Sequence, residues 1–256
     1  MNVLILGAGG MAGSIMTQYL SNHHNVTAML RKDFNVIKDK LPNLNSYDYV
    51  INCIGLIKQR IVDDDNLFFI INSKFPQKLA PACKKLIHIS SDCVFSGKIS
   101  SDKAYSKDDI KDAIDSYGKS KADGEIIKEV AMVLRTSIIG PSKDNNGLFE
   151  WFRNSQDPKG FYDHLWSGIT TLELAKIVNN IILTDSYSPG LYQIASEKIS
   201  KYNLLNIINV LFDLHKNISY DTSPTPINRV LTPDIKTQNI GNQLYELKQY
   251  MDNYIL

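Results

Sequence analysis

Along the chain, short unbroken apolar runs alternate with longer segments in which apolar residues recur at helical spacing. The runs Val3–Leu6, Tyr49–Ile54, Leu86–Ser91 and Ala131–Thr136 each close on Gly, Asn, Ser or Thr. Apolar runs of this length, bounded by turn residues, predict strands buried on both faces. Residues 25–30 predict a further strand, and helical spacing predicts helices over about 12–21, 65–84 and 116–129. Strands and helices in alternation imply right-handed βαβ units. The fold class is therefore α/β, with a doubly wound parallel sheet. Between Arg31 and Asp48 there is too little chain for a full strand–helix pair, so one face of the sheet should be trimmed. The acidic triplet Asp63–Asp65 reads as a solvated loop or a helix start. The texture changes near residue 140, at Pro141, Gly147 and the turn Asp157–Gly160. Helices are expected beyond it over 170–183 and 200–214, with a strand over 190–195 and a Pro/Thr-rich loop over 222–233. The division expected is a larger domain of 1–148 plus about 168–195, and a smaller part made of 149–167 and 196–256.

Composition narrows the function classes. The 256 residues carry 28 Lys+Arg against 27 Asp+Glu, a net charge of +1, and 43% are hydrophobic. A chain of this length buries a core without metals or disulfides to staple it. Balanced charge speaks against nucleic acid or an anionic membrane as the main partner. Cys53, Cys83 and Cys93 show no paired spacing, which argues against a disulfide framework and a zinc site. His23 and His24 sit at a helix end facing solvent, and His88 lies inside an apolar run as a core residue, so no metal is expected. Trp151 and Phe152 likewise read as core. No apolar run approaches the ~18 residues of a membrane span, and the N-terminal run lacks the flanks of a signal peptide. The expectation is a cytoplasmic protein.

Gly7-Ala-Gly-Gly-Met-Ala-Gly13 follows the first strand and opens the first helix. Glycines there permit a tight turn with positive φ and let the backbone approach a pyrophosphate at the helix N-terminus. The segment fits Gly at 7, 10 and 13, or Gly at 7 and 9 with Ala at 12. It predicts a dinucleotide site that includes Met11. The second strand runs into Arg31-Lys32, whose cations suit a ribose 2′-phosphate. That favours NADPH, while nearby Asp33 keeps NADH possible.

Tyr117-Gly-Lys-Ser-Lys121 puts a phenol and an ammonium on one helix face. A phenol of pKa ~10 needs a neighbouring cation to work as acid–base catalyst near neutrality, and Lys121 is placed to supply it. Ser90-Ser91-Asp92 ends a strand at the carboxyl edge of the sheet, where such folds hold ligands. A serine hydroxyl there can hold the carbonyl oxygen that Tyr117 protonates.

In this order and spacing, the glycine turn, Ser-Ser-Asp and Tyr-x-x-x-Lys resemble the extended short-chain dehydrogenase/reductase superfamily. Ile89–Gly97, Tyr117–Glu125, Leu134–Ser137, Gly190–Ala195 and Pro224–Arg229 look like the corresponding segments of dTDP-4-dehydrorhamnose reductases. The resemblance implies a Rossmann-type dinucleotide domain and a Ser91, Tyr117, Lys121 triad, with Lys121 also binding the nicotinamide ribose. It implies that Gly7, Gly10, Met11 and Gly13 hold the pyrophosphate and that Asn52 and Asn72 lie along the cofactor. The implied substrate is a nucleotide-linked 4-keto-6-deoxy sugar, reduced at C4 for surface polysaccharide synthesis. Asp92, Cys93, His164, Trp166 and Arg229 would line its pocket, Arg229 at the diphosphate. Cys93 stands where the family has Tyr, and Tyr162–Gly168 replaces a family loop, which reshapes the sugar site. An NAD-retaining epimerase and a non-catalytic nucleotide-binding subunit are the alternatives. A homodimer is the default assembly.

Overall fold

The computed structural model describes residues 1–58 and 64–254. From the N-terminus come β1 (Asn2–Leu6), α1 (Met11–Leu20), β2 (Asn25–Met29), β3 (Tyr49–Asn52), α2 (Asn66–Phe69), α3 (Phe75–Leu79), β4 (Leu86–Ile89), α4 (Ser116–Gly124), β5 (Met132–Arg135) and β6 (Ile138–Ile139). There follow α5 (Leu148–Asn154), β7 (Lys159–Phe161), β8 (His164–Trp166), β9 (Ile169–Thr170), α6 (Thr171–Leu183), β10 (Gly190–Ala195) and β11 (Ile199–Ser200). The chain ends through α7 (Lys201–Leu211), β12 (Ser219–Asp221), β13 (Ile227–Asn228), β14 (Ile235–Lys236) and α8 (Ile240–Asn253).

Seven strands form one sheet in the order β14-β10-β5-β4-β3-β1-β2, every pairing parallel. The continuous apolar runs are explained by the period-2 pleat. Val3 and Ile5 face a core with Ile15, Met16, Val178 and Leu244. Leu4 and Leu6 face the opposite core with Phe75, Leu79 and Val133. Each such side chain, fully buried, contributes roughly 1.5–3 kcal/mol. Residues 31–48 form turns without helix or strand, as their shortness requires, and seal that face by burying Phe34 and Leu44. β14 and α8 come from the stretch assigned above to the second part. Nevertheless β14 pairs with β10, and α8 contributes Ile240, Leu244 and Leu247 to the main core. Among the described residues, no helix is long and apolar enough to cross a membrane.

The helix expected over 65–84 is helical but not uniform. A π-turn at Ile70–Lys74 lies between α2 and α3, and a 3₁₀ turn closes it at Ala80–Ala82. Pro76 is the cause, because its ring crowds the carbonyl four residues back, at Asn72. That carbonyl turns toward α4, where a Cβ on Gly124 would lie 2.2 Å from it. Of the triplet, Asp63 lies outside the described residues. Asp64 accepts from the Asn66 N–H at 2.8 Å, and Asp65 holds the Ser116 hydroxyl at the start of α4.

Candidate active site

The glycine turn is built by sterics. Gly7 has φ +78° and a Cβ there would meet the Ile54 nitrogen at 2.9 Å, while a Cβ on Gly13 would lie 2.2 Å from the Gly7 carbonyl oxygen. Gly10 has room, so Gly7 and Gly13 are the positions where another residue is excluded. Gly10 supplies no side-chain cap to α1, which leaves first-turn N–H groups, Met11 among them, free for an anion. Beside the turn runs a cleft of about 520 Å³ lined by Gly7, Gly10, Arg31, Phe34, Cys53 and Ile54. An uncapped helix start, a turn stripped of Cβ atoms and an apolar wall with one cation fit a dinucleotide.

Arg31 lines this cleft, whereas Lys32 is exposed and does not. The Asp33 carboxylate accepts the Leu30 N–H at 3.0 Å, so it serves its own turn. Asn52 and Asn72 depart from expectation, since both have no exposed surface. The Asn52 amide donates to His88 Nδ1 at 3.0 Å, and its oxygen accepts the Ile54 N–H at 3.1 Å. Asn72 accepts the Leu56 N–H at 2.8 Å and donates to the Leu56 carbonyl at 2.9 Å and to Ser120 Oγ at 3.1 Å. Both therefore brace the 54–56 backbone that lines the cleft. His88 is a core residue as expected, held neutral by burial with Lys121 adding to the effect.

At the carboxyl end of β4, Ser91 accepts the Cys93 N–H at 3.1 Å and donates to Asp92 at 3.2 Å. Tyr117 opens α4, whose N-cap Asp115 accepts the Gly118 N–H at 2.7 Å. A Cβ on Gly118 would lie 2.3 Å from the Cys93 carbonyl oxygen. Glycine there lets α4 close onto the serine turn, where Ser91 acts on the Tyr117 phenol. Tyr117 also packs edge-on to Phe68, ring centroids 6.3 Å apart. Burial pushes the phenol above its ordinary pKa, the Cys93 thiol and the Asp92 and Asp115 carboxylates add to this, and the Ser91 bond opposes it. Lys121 lies one helical turn further on the same helix. Its ammonium donates to the Ile89 carbonyl at 2.7 Å, and burial brings its pKa down to about 8 against the pull of Glu125.

Toward the C-terminal part, Cys93 borders Ser91 with a thiol that burial pushes up to about 11, the neighbouring Asp92 carboxylate adding to this. Arg229 donates Nε to the Phe95 carbonyl at 2.9 Å and an amino group to Ser96 at 3.4 Å, which fixes it as a wall of the site. His164 stacks near Phe161, centroids 4.7 Å apart, with Nε2 buried and without a partner. Trp166 is only 3% exposed and packs in the main core, so it backs the pocket more than it faces it. Phe152 is core as expected, but Trp151 is 44% exposed.

A buried framework absent from the expectations holds α4 to the sheet. Arg135 donates to Glu125 through Nε at 2.9 Å and Nη2 at 2.7 Å, and through Nη1 to Gln193 at 2.9 Å. Ser90 donates to Glu125 at 2.6 Å, so the first serine of the pair belongs to this framework, whereas Ser91 bonds Asp92 and Cys93 at the strand end. The signal was present, since Glu125 closes one of the family-like segments and Arg135 lies within another.

A model of the family described as RmlD substrate binding domain matches residues 1–251. A dTDP-4-dehydrorhamnose reductase of Mycolicibacterium smegmatis is 29% identical over 173 residues, 63% of this chain and 53% of that protein. The match thus spans about half the length of that relative. The enzyme of the same name from Aggregatibacter actinomycetemcomitans is 26% identical over 223 residues, 76% of this chain and 73% of that one. Among solved structures, a dTDP-4-dehydrorhamnose reductase from Clostridium acetobutylicum superposes with TM-score 0.81 at 22% identity, covering 98% of this chain and 100% of that one. One from Bacillus anthracis in complex with NADP gives 0.79 at 19% identity, covering 97% and 99%. These likenesses establish the α/β Rossmann-like fold. With the family model accounting for residues 1–251 of 256, the chain belongs to the RmlD substrate-binding-domain family.

Proposed function

We propose that the protein is a cytoplasmic NADPH-dependent reductase of a nucleotide-linked 4-keto-6-deoxy sugar, acting in deoxysugar and surface-polysaccharide synthesis. The observation that carries this reading is a proton-bearing phenol beside a strand-end serine, at the edge of a glycine-turn cleft. The names of the relatives agree with it, as does the NADP in the Bacillus anthracis structure. The free N–H groups of α1 would hold the pyrophosphate and Arg31 the 2′-phosphate. When bound, the reduced nicotinamide supplies a hydride to the sugar carbonyl carbon.

The side chains of this protein manage the oxygen and the proton. The Cys93 N–H anchors Ser91 Oγ, whose proton, given to Asp92 in this structure, would turn to the carbonyl oxygen of the sugar and stabilise the charge developing there. Tyr117 transfers its phenolic proton to that oxygen as the carbon is reduced. A phenol that retains its proton suits a reductase, since an enzyme that first oxidises its sugar needs the phenolate. The phenolate left behind faces Lys121 one helical turn away, and Ile89 holds that ammonium in place.

Binding of NADPH and NADH, followed by nicotinamide fluorescence, tests the cofactor assignment. Arg31→Ala is expected to weaken NADPH about 10–100-fold, the worth of one charge-assisted hydrogen bond, and to leave NADH unchanged. Gly13→Ala is expected to weaken both about 5–100-fold, because overpacking against backbone costs roughly 1–3 kcal/mol. Equal loss of NADPH and NADH in Arg31→Ala would count against the 2′-phosphate assignment.

The pH profile follows from Lys121. Its cation is lost as pH rises through about 8, so kcat/KM is expected to fall about tenfold per pH unit above that point. Burial also brings Lys201 down to about 8, and Lys201→Arg separates the two. The decline that persists in that variant belongs to Lys121, and a flat profile would contradict the role.

A further inference from the structure

The two edges of the main sheet are finished differently. At one edge, β14 is two residues long and carries Lys236. Short edge strands and edge lysines are the usual guards against pairing with another chain. At the other edge, β2 has neither guard. Its residues Asn-Val-Thr-Ala-Met include no charge and no proline. Its register with β1 runs unbroken from Asn25 to Met29, so no bulge turns it away. In a doubly wound sheet a further strand commonly lies against this one, but residues 31–48 form turns. Their buried side chains, Phe34 and Leu44, pack beneath the sheet with Leu4 and Leu6, which covers a face and leaves the edge.

The Asn25 N–H donates to the Met1 carbonyl, and the Met29 carbonyl accepts the Gly7 N–H, so both ends of β2 face β1. Alternation along the strand turns Thr27 toward β1 as well, and the backbone groups of Val26 and Ala28 outward. Among the described residues, no turn, loop or other strand takes up these outward groups. The side chains of Thr27 and Ala28 are exposed.

This edge is complementary to itself. When a second β2 is laid antiparallel with Thr27 opposite Thr27, Val26 of each copy falls opposite Ala28 of the other. Both members of that pair direct N–H and C=O into the joint, as the hydrogen-bonded pair of an antiparallel ladder does. Thr27 against its equivalent makes the non-hydrogen-bonded pair between them. A slip of one residue would set outward groups against inward ones. A foreign strand would have to supply this register, whereas a second copy already carries it.

We propose that β2 is the docking edge for a second copy of this chain, joined by antiparallel β2–β2 pairing centred on Thr27. The same patch meets itself, as a two-fold dimer requires. The strands run in opposite directions, so the ends leading into Arg31 point apart and each cofactor cleft stays complete in its own copy. The pairing stands independently of the reductase reading.

Sedimentation equilibrium of the full-length protein, with urea denaturation as the folding control, tests it. The wild type should show a concentration-dependent monomer–dimer equilibrium. Ala28→Pro removes an N–H that the monomer leaves unbonded, and it should weaken the dimer about 10–100-fold. Thr27 is exposed, so its variants keep the test open if Ala28→Pro fails to fold. Thr27→Lys and Thr27→Glu each set like charges on Cβ atoms about 4.5–5.5 Å apart, and each should weaken the dimer about two- to fivefold at low salt. An equimolar mixture of the two should associate about tenfold more tightly than either alone, because only the mixed dimer opposes unlike charges. A wild type still monomeric at about 1 mM would overturn the proposal, as would a dimer whose dissociation constant none of these variants changes. Weakening by both charged variants with no recovery in the mixture would overturn the register centred on Thr27.

Discussion

Tyr117→Phe is expected to lower kcat about 10²–10⁴-fold, the usual contribution of a positioned acid–base group, with NADPH affinity unchanged. The substitution removes one hydroxyl and keeps the ring that packs on Phe68. Stability should therefore move little, and the loss falls on the chemical step. Ser91→Ala is expected to cost about 10²–10³-fold through a different route, by deleting a donor to the developing oxyanion. It also frees the Cys93 N–H from its acceptor. If the two residues act on one oxygen, the double variant loses less than the product of the single losses. Steady-state turnover of a keto-sugar nucleotide by the three variants checks this. Full turnover by Tyr117→Phe would remove the phenol from the mechanism.

Glu125→Leu is expected to destabilise the fold by about 3–5 kcal/mol, because it strands Arg135 in the core without its carboxylate. That is a large share of the roughly 5–15 kcal/mol by which domains are stable. Burial alone would raise the Glu125 carboxyl, but Arg135, Ser90 and Lys111 overcome this and hold it below the usual carboxylate range. The folded pKa being depressed, the contribution is complete above the unfolded value of ~4.3 and fades as pH falls through the folded one. Arg135 and Glu125 are 1% exposed each, so solvent screens the pair little. Removing both charges in Glu125→Leu/Arg135→Met should recover much of the loss. Urea denaturation of the single and double variants measures it. A double variant as unstable as the single would show that shape, not the stranded charge, is what matters at this site.

The strands were legible because both sides of each are buried, so nearly every residue of β1, β3 and β4 is apolar. The Ser91–Tyr117 pairing was legible too, since a strand-end serine and the next helix start meet at the carboxyl edge of a parallel sheet. What could not be read was direction and contact. Asn52 looked like a cofactor ligand, yet the pleat turns it toward His88, its register partner on β4. Nor does the sequence show that the Ile89 carbonyl holds the Lys121 ammonium. Gly118 and Gly124 carry no signal beyond their identity, because what excludes a side chain is a carbonyl from a distant segment.

Net consumption of NADPH with a panel of nucleotide-linked 4-keto-6-deoxy sugars tests the central claim most directly. The account predicts that one of them oxidises NADPH mole for mole with the alcohol formed, and that Tyr117→Phe abolishes the reaction. A sugar converted with no net loss of NADPH would contradict it and assign the hydride to a retained cofactor, as in an epimerase. Tight NADPH binding with no sugar reduced would leave a nucleotide-binding protein in place of an enzyme.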